Sequence, residues 1–214
     1  MLSTFFLTAM TLPILALNSG NFSWGNRTLA SHQISLNDRY NNSYVNDVFK
    51  DNILLTLAYM DGSVKDKSQI NWDKIRQPVT FQFQIQPGKT FAFHDGISPE
   101  YKNQVAITSA THFNFADGFL SDGYLTGDGV CHLASLMNWT AKDAGLASLA
   151  PTRHDFANIP EISKENGVAI YYGPGQESSN ARENLYITNN LDKPVTFKFE
   201  YTSDSELKFS ILEN

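Results

Sequence analysis

Hydrophobic residues recur at helical spacing in the first part of the chain and alternate with polar residues in the second part. The helical spacing covers 43–60, where one face carries mostly apolar side chains. Asn42-Ser43 offers an N-cap before this run, and Asp61-Gly62 ends it. The spacing therefore predicts a helix over 43–60 that packs its apolar face against a core.

After residue 78 the spacing changes to the period of a strand with one buried face. Apolar and polar side chains alternate through 79–85, and the alternation resumes at Phe91 and Phe93. Pro87-Gly88 between the two runs is typical of the middle of a type II turn. We expect the two runs to pair as a hairpin.

The C-terminal third repeats the strand pattern around one further helix. Leu133, Leu136 and Met137 open a helical stripe, and Gly145 suits the residue after a helix end, which predicts a helix over 131–144. Strands are predicted at 168–172, 185–187, 195–201 and 207–211. Since short connections favour antiparallel pairing, we predict an α+β domain: a mostly antiparallel sheet with two principal helices, 43–60 and 131–144.

Composition and charge fit a folded, acidic protein. The chain has 214 residues, of which 42% are hydrophobic and 18% charged, so extensive disorder is not expected. Its net charge is −6, and lysines and arginines do not cluster. This balance removes the electrostatic basis for nucleic-acid binding, and we expect no nucleic-acid partner.

The first residues are typical of an export signal. The stretch 2–17 is uncharged and mostly apolar, and it is shorter than the ~20 residues that a membrane span needs. No Lys or Arg precedes it, so a retained anchor and a buried helix interrupted by Pro13 stay as alternatives to a cleaved signal. We divide the chain into a signal peptide or anchor (1–20), an N-terminal helical segment (21–77) and an α+β domain (78–214). Membrane contact is expected only through the anchor.

The residues suited to chemistry gather before the second helix. Cys131 is the single cysteine, and it follows Gly127, Asp128 and Gly129 at the predicted helix start. Free backbone N–H groups and the helix dipole favour a thiolate there. The glycines allow positive φ or close approach of a ligand, as they do in any tight turn.

A nucleophilic cysteine needs a base, and His154 is the candidate. His132 adjoins the cysteine, but successive helical residues diverge by about 100°. Asn158, Asn166 or Asp128 are open alternatives for orienting the ring of His154. The competing interpretation makes the cysteine a small buried hydrophobe and His154 a structural histidine.

Two further interpretations give the region around the predicted helix start a ligand-binding role, with either an organic ligand or a metal ion. The residues around the predicted helix start, Gly127, Asp128, Gly129, His132, Ser135 and Asn158, are candidate binding residues, because Cys131, Ser135 and Asn138 share a smaller, more polar helix face. A metal site on the same cysteine and histidines lacks any metal-binding motif, so we expect no metal and no cofactor.

Aromatic residues are dense in the middle of the chain. They are interpreted either as core or as an aromatic cleft for a glycan or peptide. The set comprises Phe91, Phe93, Phe113, Phe115, Phe119 and Tyr124.

The same region resembles the VanW-like family, named for an accessory protein of vancomycin-resistance clusters. The resemblance is carried by Asp122-Gly123-Tyr124, Gly127-x-Gly129-Val130-Cys131, Ala144-Gly145-Leu146, His154, Pro87-Gly88-Lys89-Thr90-Phe91-Ala92-Phe93, and Asn184 through Val195. It covers roughly 79–199. Asp128 and His132 stand where the family pattern has glycine and glutamine, and the acidic residue expected near 166–168 is missing.

The resemblance implies an exported cell-envelope protein and leaves two function classes open. One is a Cys/His hydrolase or acyl-transferase acting on cell-wall peptide bonds, with Cys131 as nucleophile and His154 as base. The other is a non-catalytic envelope module that binds wall peptide, glycan or a partner protein. A hydrogen bond between the cysteine sulfur and a His154 nitrogen would favour the enzyme.

Overall fold

The structure, a computed structural model, describes residues 27–214, so the predicted signal or anchor at 1–20 lies outside the described residues. The strands are β1 (Arg27–Ser35), β2 (Val79–Ile85), β3 (Thr90–Ala92), β4 (Val105–Ile107), β5 (Ala147–Leu149), β6 (Tyr186–Thr188), β7 (Val195–Tyr201) and β8 (Glu206–Glu213). The helices are α1 (Ser43–Met60), α2 (Trp72–Ile75), α3 (Val130–Asp143) and α4 (Glu177–Arg182). Short 3-10 turns lie at 67–69, 99–101, 115–117 and 164–166.

The predicted α+β class is confirmed. Four strands form an antiparallel sheet in the order β1-β8-β7-β2. One face of this sheet is aromatic, because Phe81, Phe199 and Phe209 lie side by side across three strands. The second sheet has the order β4-β3-β6-β5 and contains one parallel pair, β3 with β4.

The predicted hairpin at Pro87-Gly88 is wrong, although its turn is present. Gly88 has φ 71°, and the Lys89 N–H donates to the Gln86 carbonyl at 3.0 Å, as a type II turn requires. The turn passes the chain from one sheet to the other: β2 pairs with β7, whereas β3 pairs with β4 and β6. The alternation of apolar and polar residues predicts which face of a strand is buried, but it does not predict which strand pairs with it.

Both principal helices are confirmed, α1 with the predicted bounds. The Asn42 side chain accepts from the Val45 N–H at 3.3 Å and caps α1. Gly145 follows α3 with φ 76°, and the N–H of Leu146 donates to the Ala141 carbonyl at 3.0 Å. This is a Schellman ending, which the glycine and its position predicted.

Two assignments differ from the sequence pattern. β1, in the segment expected to be helical, was not predicted, and it pairs with β8 along its length. The strand predicted at 168–172 is wrong, because these residues form no ladder and lie instead along α3. A single hydrophobic cluster contains residues from both 27–77 and 78–214, among them Ile34, Leu54 and Phe199.

α3 lies against β1, β8 and α1, which brings the predicted site into the core. The imidazole of His32 on β1 stacks on Trp139 of α3, with ring centroids 3.5 Å apart. Within 27–214, no helix combines the length and the apolar character that crossing a membrane demands.

Candidate functional site

The turn before α3 lies against the protein's own backbone. Gly127 and Gly129 have φ 85° and 101°, as their position in a tight turn suggested. A Cβ on Gly127 would lie 2.5 Å from the Phe113 carbonyl oxygen, and a Cβ on Gly129 would lie 2.5 Å from that of Phe49. The close approach that these glycines permit is therefore made by two neighbouring segments of the chain.

A side chain of α1 holds the same turn in place. The Asn52 amide donates to the Asp128 carbonyl at 2.9 Å and to the Leu120 carbonyl at 3.1 Å. Its Oδ1 accepts from the Leu120 N–H at 2.9 Å. Asn52 is fully buried, so these three bonds satisfy an amide that would otherwise be costly to bury.

Cys131 lies at the start of α3 as predicted, but its sulfur is engaged with main chain. The Ile170 N–H donates to the sulfur at 3.3 Å, and the thiol faces the Ile170 carbonyl at 3.7 Å. Burial raises the pKa of the Cys131 thiol to about 11. Although the residue is partly exposed, burial of its sulfur disfavours the thiolate that the helix start was expected to favour.

The polar face of α3 is covered by the chain itself. Ser135 accepts from the Val168 N–H at 2.9 Å, and the Asn138 amide donates to the Asn166 carbonyl at 3.0 Å. Cys131, Ser135 and Asn138 thus form a row that holds 166–170 against the helix. Ser135 and Asn138 are buried on this face and Cys131 is partly exposed, because a polar stripe on a helix can face buried backbone as well as solvent.

Asn138→Ala is expected to destabilise the protein by about 2–3 kcal/mol, because Asn138 is buried and its Oδ1 also accepts from the Ser148 hydroxyl at 2.8 Å. Truncation leaves that hydroxyl and the Asn166 carbonyl without partners. Urea denaturation measures the loss, with the exposed Asn158→Ala as control, expected within about 0.5 kcal/mol of wild type. Equal midpoints and slopes for the two variants would contradict the assignment.

His154 and His132 contact each other, and neither is paired with the cysteine. Their ring centroids lie 6.2 Å apart in an edge-to-face arrangement, and His154 also contacts Phe156 at 4.0 Å. Over 27–214, the hydrogen bonds of the Cys131 sulfur both go to Ile170. The two histidines thus lie together, whereas the predicted nucleophile Cys131 bonds to Ile170 and to neither histidine.

Burial disfavours the charged form of both imidazoles. It lowers the pKa of His154, and it lowers the pKa of His132 to about 3, with the positive charge of Arg39 adding to the effect on His132. The Nδ1 atoms of both rings are buried without a hydrogen-bond partner. None of the side chains proposed to orient His154, at Asn158, Asn166 or Asp128, therefore bonds to its Nδ1.

Arg39 is a buried charge that the sequence pattern did not reveal. Its side chain is inaccessible to solvent, and its guanidinium donates to Glu161 at 2.5 Å and to the Pro160 carbonyl at 3.3 Å. Glu161 has φ 67° and also accepts from the Ser35 N–H at 3.0 Å. The pair joins β1 to the loop that follows His154, which is a structural role.

The remaining predicted binding residues do not surround one opening. Asp128 is partly buried, its Oδ2 has no partner, and burial together with the nearby Asp122 charge raises its pKa to about 6. His132 and Ser135 are buried, and Asn158 is exposed. In the part of the chain that the structure describes, no three His, Cys, Asp or Glu side chains are grouped to hold a metal ion.

A cleft of about 720 Å³ lies beside α1. It is bounded by α1, by 67–76 and by 115–121, and we call it the Trp72 cleft. Its principal lining residues are Tyr44, Asp51, Lys67, Trp72, Arg76 and Phe115. Sequence analysis missed it, since these residues come from three separate segments.

The six aromatic residues in the middle of the chain, interpreted as either core or cleft, include examples of both. Phe91, Phe93, Phe113 and Phe119 are core residues. Phe115 is 61% exposed and lines the Trp72 cleft, whereas Tyr124 is 93% exposed outside it. Of these six residues, Phe115 contributes an exposed ring to the cleft.

Comparisons with protein-family models, with curated proteins and with solved structures found no match to this chain.

Proposed function

We propose that the protein is a non-catalytic binding module of the VanW-like type, acting at the cell envelope on wall glycan, wall peptide or a partner protein. The observation that carries the proposal is the contact between the Cys131 sulfur and the Ile170 main chain. A thiol held in this way has no adjacent base. The family-like turn is therefore interpreted as a structural element.

A cysteine hydrolase needs three features that this site does not supply. The nucleophile needs a lowered pKa or a base within about 3.2 Å, but burial raises the pKa of Cys131 to about 11. The base needs a partner to orient it, but the Nδ1 of His154 has none. The helix-start N–H groups need free space for an oxyanion, but the Phe49 backbone lies against Gly129.

The envelope setting is supported by two features of the sequence. The stretch 2–17 has the length and apolar character of a signal region. The segments resembling the VanW-like family extend over roughly 79–199. Both are part of the proposal, and N-terminal sequencing of protein from the native host tests the export step, with cleavage expected near 17–20.

We expect Cys131 to resist alkylation in the folded protein. Because its thiol pKa is raised to about 11, its thiolate fraction at pH 8 is about 10⁻³. The rate of iodoacetamide labelling, followed by mass spectrometry, should rise at least a hundredfold when urea unfolds the chain. Rapid labelling of folded protein, slowed in His154→Ala, would restore the enzyme hypothesis.

Binding to isolated cell-wall fragments tests the function directly. We expect the full chain to co-sediment with purified wall material, and Cys131→Ala to co-sediment equally well. The urea-unfolded protein, diluted without refolding, is the control for non-specific adhesion. Release of wall fragments that depends on Cys131 would overturn the proposal, as would the absence of specific co-sedimentation.

A further inference from the structure

We propose that the Trp72 cleft binds an uncharged saccharide chain. The inference rests on the proposed binding function and names the ligand class and the site. It places recognition on α1 and the 67–76 and 115–121 segments rather than at Cys131, which does not line the cleft. The rings, charges, rigidity and size of the cleft support this ligand class.

Three aromatic side chains give the cleft its apolar surface. Tyr44 is 63% and Phe115 61% exposed, although both rings are large and apolar. Trp72 also lines the cleft and is partly buried, and the Arg76 guanidinium carbon lies 5.5 Å from the centre of its ring. The faces of aromatic rings carry partial negative charge, which attracts the weakly positive C–H groups on the flat face of a sugar ring. Exposed rings that converge on one concave surface mark a binding site.

An ion pair in the lining supplies fixed hydrogen-bonding groups. Arg76 donates to Asp51 through Nε at 2.9 Å and through Nη2 at 2.7 Å. The Arg76 side chain is half-exposed, so its remaining N–H groups face solvent, whereas the Asp51 side chain is only 8% exposed and holds the guanidinium in place. A planar guanidinium fixed in this way suits hydroxyl groups, whose oxygens accept hydrogen bonds from its N–H groups.

The charges of the lining balance. Asp47 and Asp51 oppose Lys67 and Arg76, so two negative and two positive side chains line the cleft. A cleft without net charge gives no electrostatic attraction to an anionic or cationic ligand. Aromatic rings beside groups that hydrogen-bond to hydroxyls, in a cleft without net charge, therefore favour a neutral, hydroxyl-rich ligand.

Hydrogen bonds between the walls hold the cleft in place. Lys67 donates to the Phe115 carbonyl at 2.9 Å, and Tyr59 donates to the Asp117 carbonyl at 2.9 Å. Gly118 lies so close to the 67–70 turn that a Cβ there would lie 2.2 Å from Ile70. A site that is already formed loses little conformational entropy on binding, which suits a ligand whose individual contacts are weak. Its volume of about 720 Å³ is within the usual range for small-molecule sites, about 300–1,000 Å³.

Titration calorimetry with a panel of soluble, uncharged oligosaccharides tests the proposal. The panel comprises tetramers of glucose, mannose, galactose and N-acetylglucosamine, each added to the full chain. We expect saturable binding of at least one tetramer. Tyr44→Ala and Phe115→Ala should each weaken it tenfold or more, because each removes an exposed ring. Tyr171→Ala, which removes an exposed ring outside the cleft lining, is the matched control and should leave the affinity unchanged.

Each contrary outcome overturns a stated part of the proposal. Failure of all four tetramers to bind, or binding that Tyr44→Ala and Phe115→Ala leave intact, overturns it. Binding of a soluble wall stem peptide at the cleft, with no sugar binding, replaces the saccharide by a peptide. If the protein co-sediments with wall material but binds no tetramer, the saccharide inference falls and the proposed function stands. If tetramers bind and Cys131-dependent wall cleavage is also found, the proposed function falls and the saccharide inference stands.

Discussion

Gly129→Ala is expected to destabilise the protein by about 3 kcal/mol or more, a large share of a total stability of about 5–15 kcal/mol. Gly129 has φ 101°, a conformation that costs an L-residue on the order of 1–3 kcal/mol. In addition, the new Cβ would lie 2.5 Å from the Phe49 carbonyl oxygen and 2.8 Å from its Cα. Both atoms belong to the backbone of α1, so relief requires the two principal helices to separate.

Gly145→Ala is the matched control for this substitution. Gly145 has φ 76°, but nothing lies within 4 Å of the position of its Cβ. Gly145→Ala therefore has the cost of a positive φ but no steric clash, and we expect it to lower the free energy of unfolding by about 1 kcal/mol. Urea unfolding followed by circular dichroism compares the two variants. Similar midpoints would mean that the contact between Gly129 and Phe49 does not restrict this turn.

The second large effect expected is acid unfolding caused by buried histidines. His94 is fully buried, and its ring lies between the Glu183 carbonyl, 3.0 Å from Nε2, and the Gly96 N–H, 3.1 Å from Nδ1. Nδ1 therefore accepts, and a proton there would face a donor. Burial lowers the pKa of His94 to about 4 and that of His132 to about 3.

The sign of the pH effect follows from these lowered values. In the unfolded chain both histidines have a pKa of about 6.5, so between that pH and about 3 to 4 the unfolded state binds more protons. Their contribution to stability is complete above pH 6.5 and is lost as the pH falls. At about 1.4 kcal/mol per pKa unit, the loss is several kcal/mol, comparable with a total stability of about 5–15 kcal/mol.

Asp128 acts in the opposite direction. Because its folded-state pKa is raised to about 6, its contribution to stability is present at low pH and is lost as the pH rises through that value. It is a single, partly exposed group, so it offsets only part of the loss from two buried histidines. We therefore expect net destabilisation on acidification, with cooperative unfolding near pH 4.

His132→Phe tests the assignment, because it keeps a ring between Phe49 and His154 but removes the titrating group. Denaturation midpoints measured between pH 7.5 and 3.5 should fall less steeply for this variant than for wild type. Tyr171→Phe, at an exposed position, is the control and should follow the wild-type curve. Parallel curves for His132→Phe and wild type would show that the ring is not buried in neutral form.

The elements that sequence analysis predicted correctly depend on local signals. α1 begins after the cap at Asn42 and ends before Gly62, because capping and positive φ involve residues close together in sequence. The same holds for the end of α3 at Gly145 and for the turn at Pro87-Gly88. β7 and β8 follow from strict alternation next to a short turn. β1 was missed because its sequence carries no comparable alternation.

The chemistry of the candidate site depends on segments that meet only in the folded chain. Cys131 contacts Ile170 across 39 positions of sequence, and nothing near the cysteine indicates that the 166–170 segment will cover it. The Trp72 cleft likewise combines α1 with two distant segments. Local periodicity states which face of an element is buried and which residues end it. Long-range packing selects what covers that face, and here it places the Ile170 main chain against the Cys131 sulfur and forms a cleft beside α1.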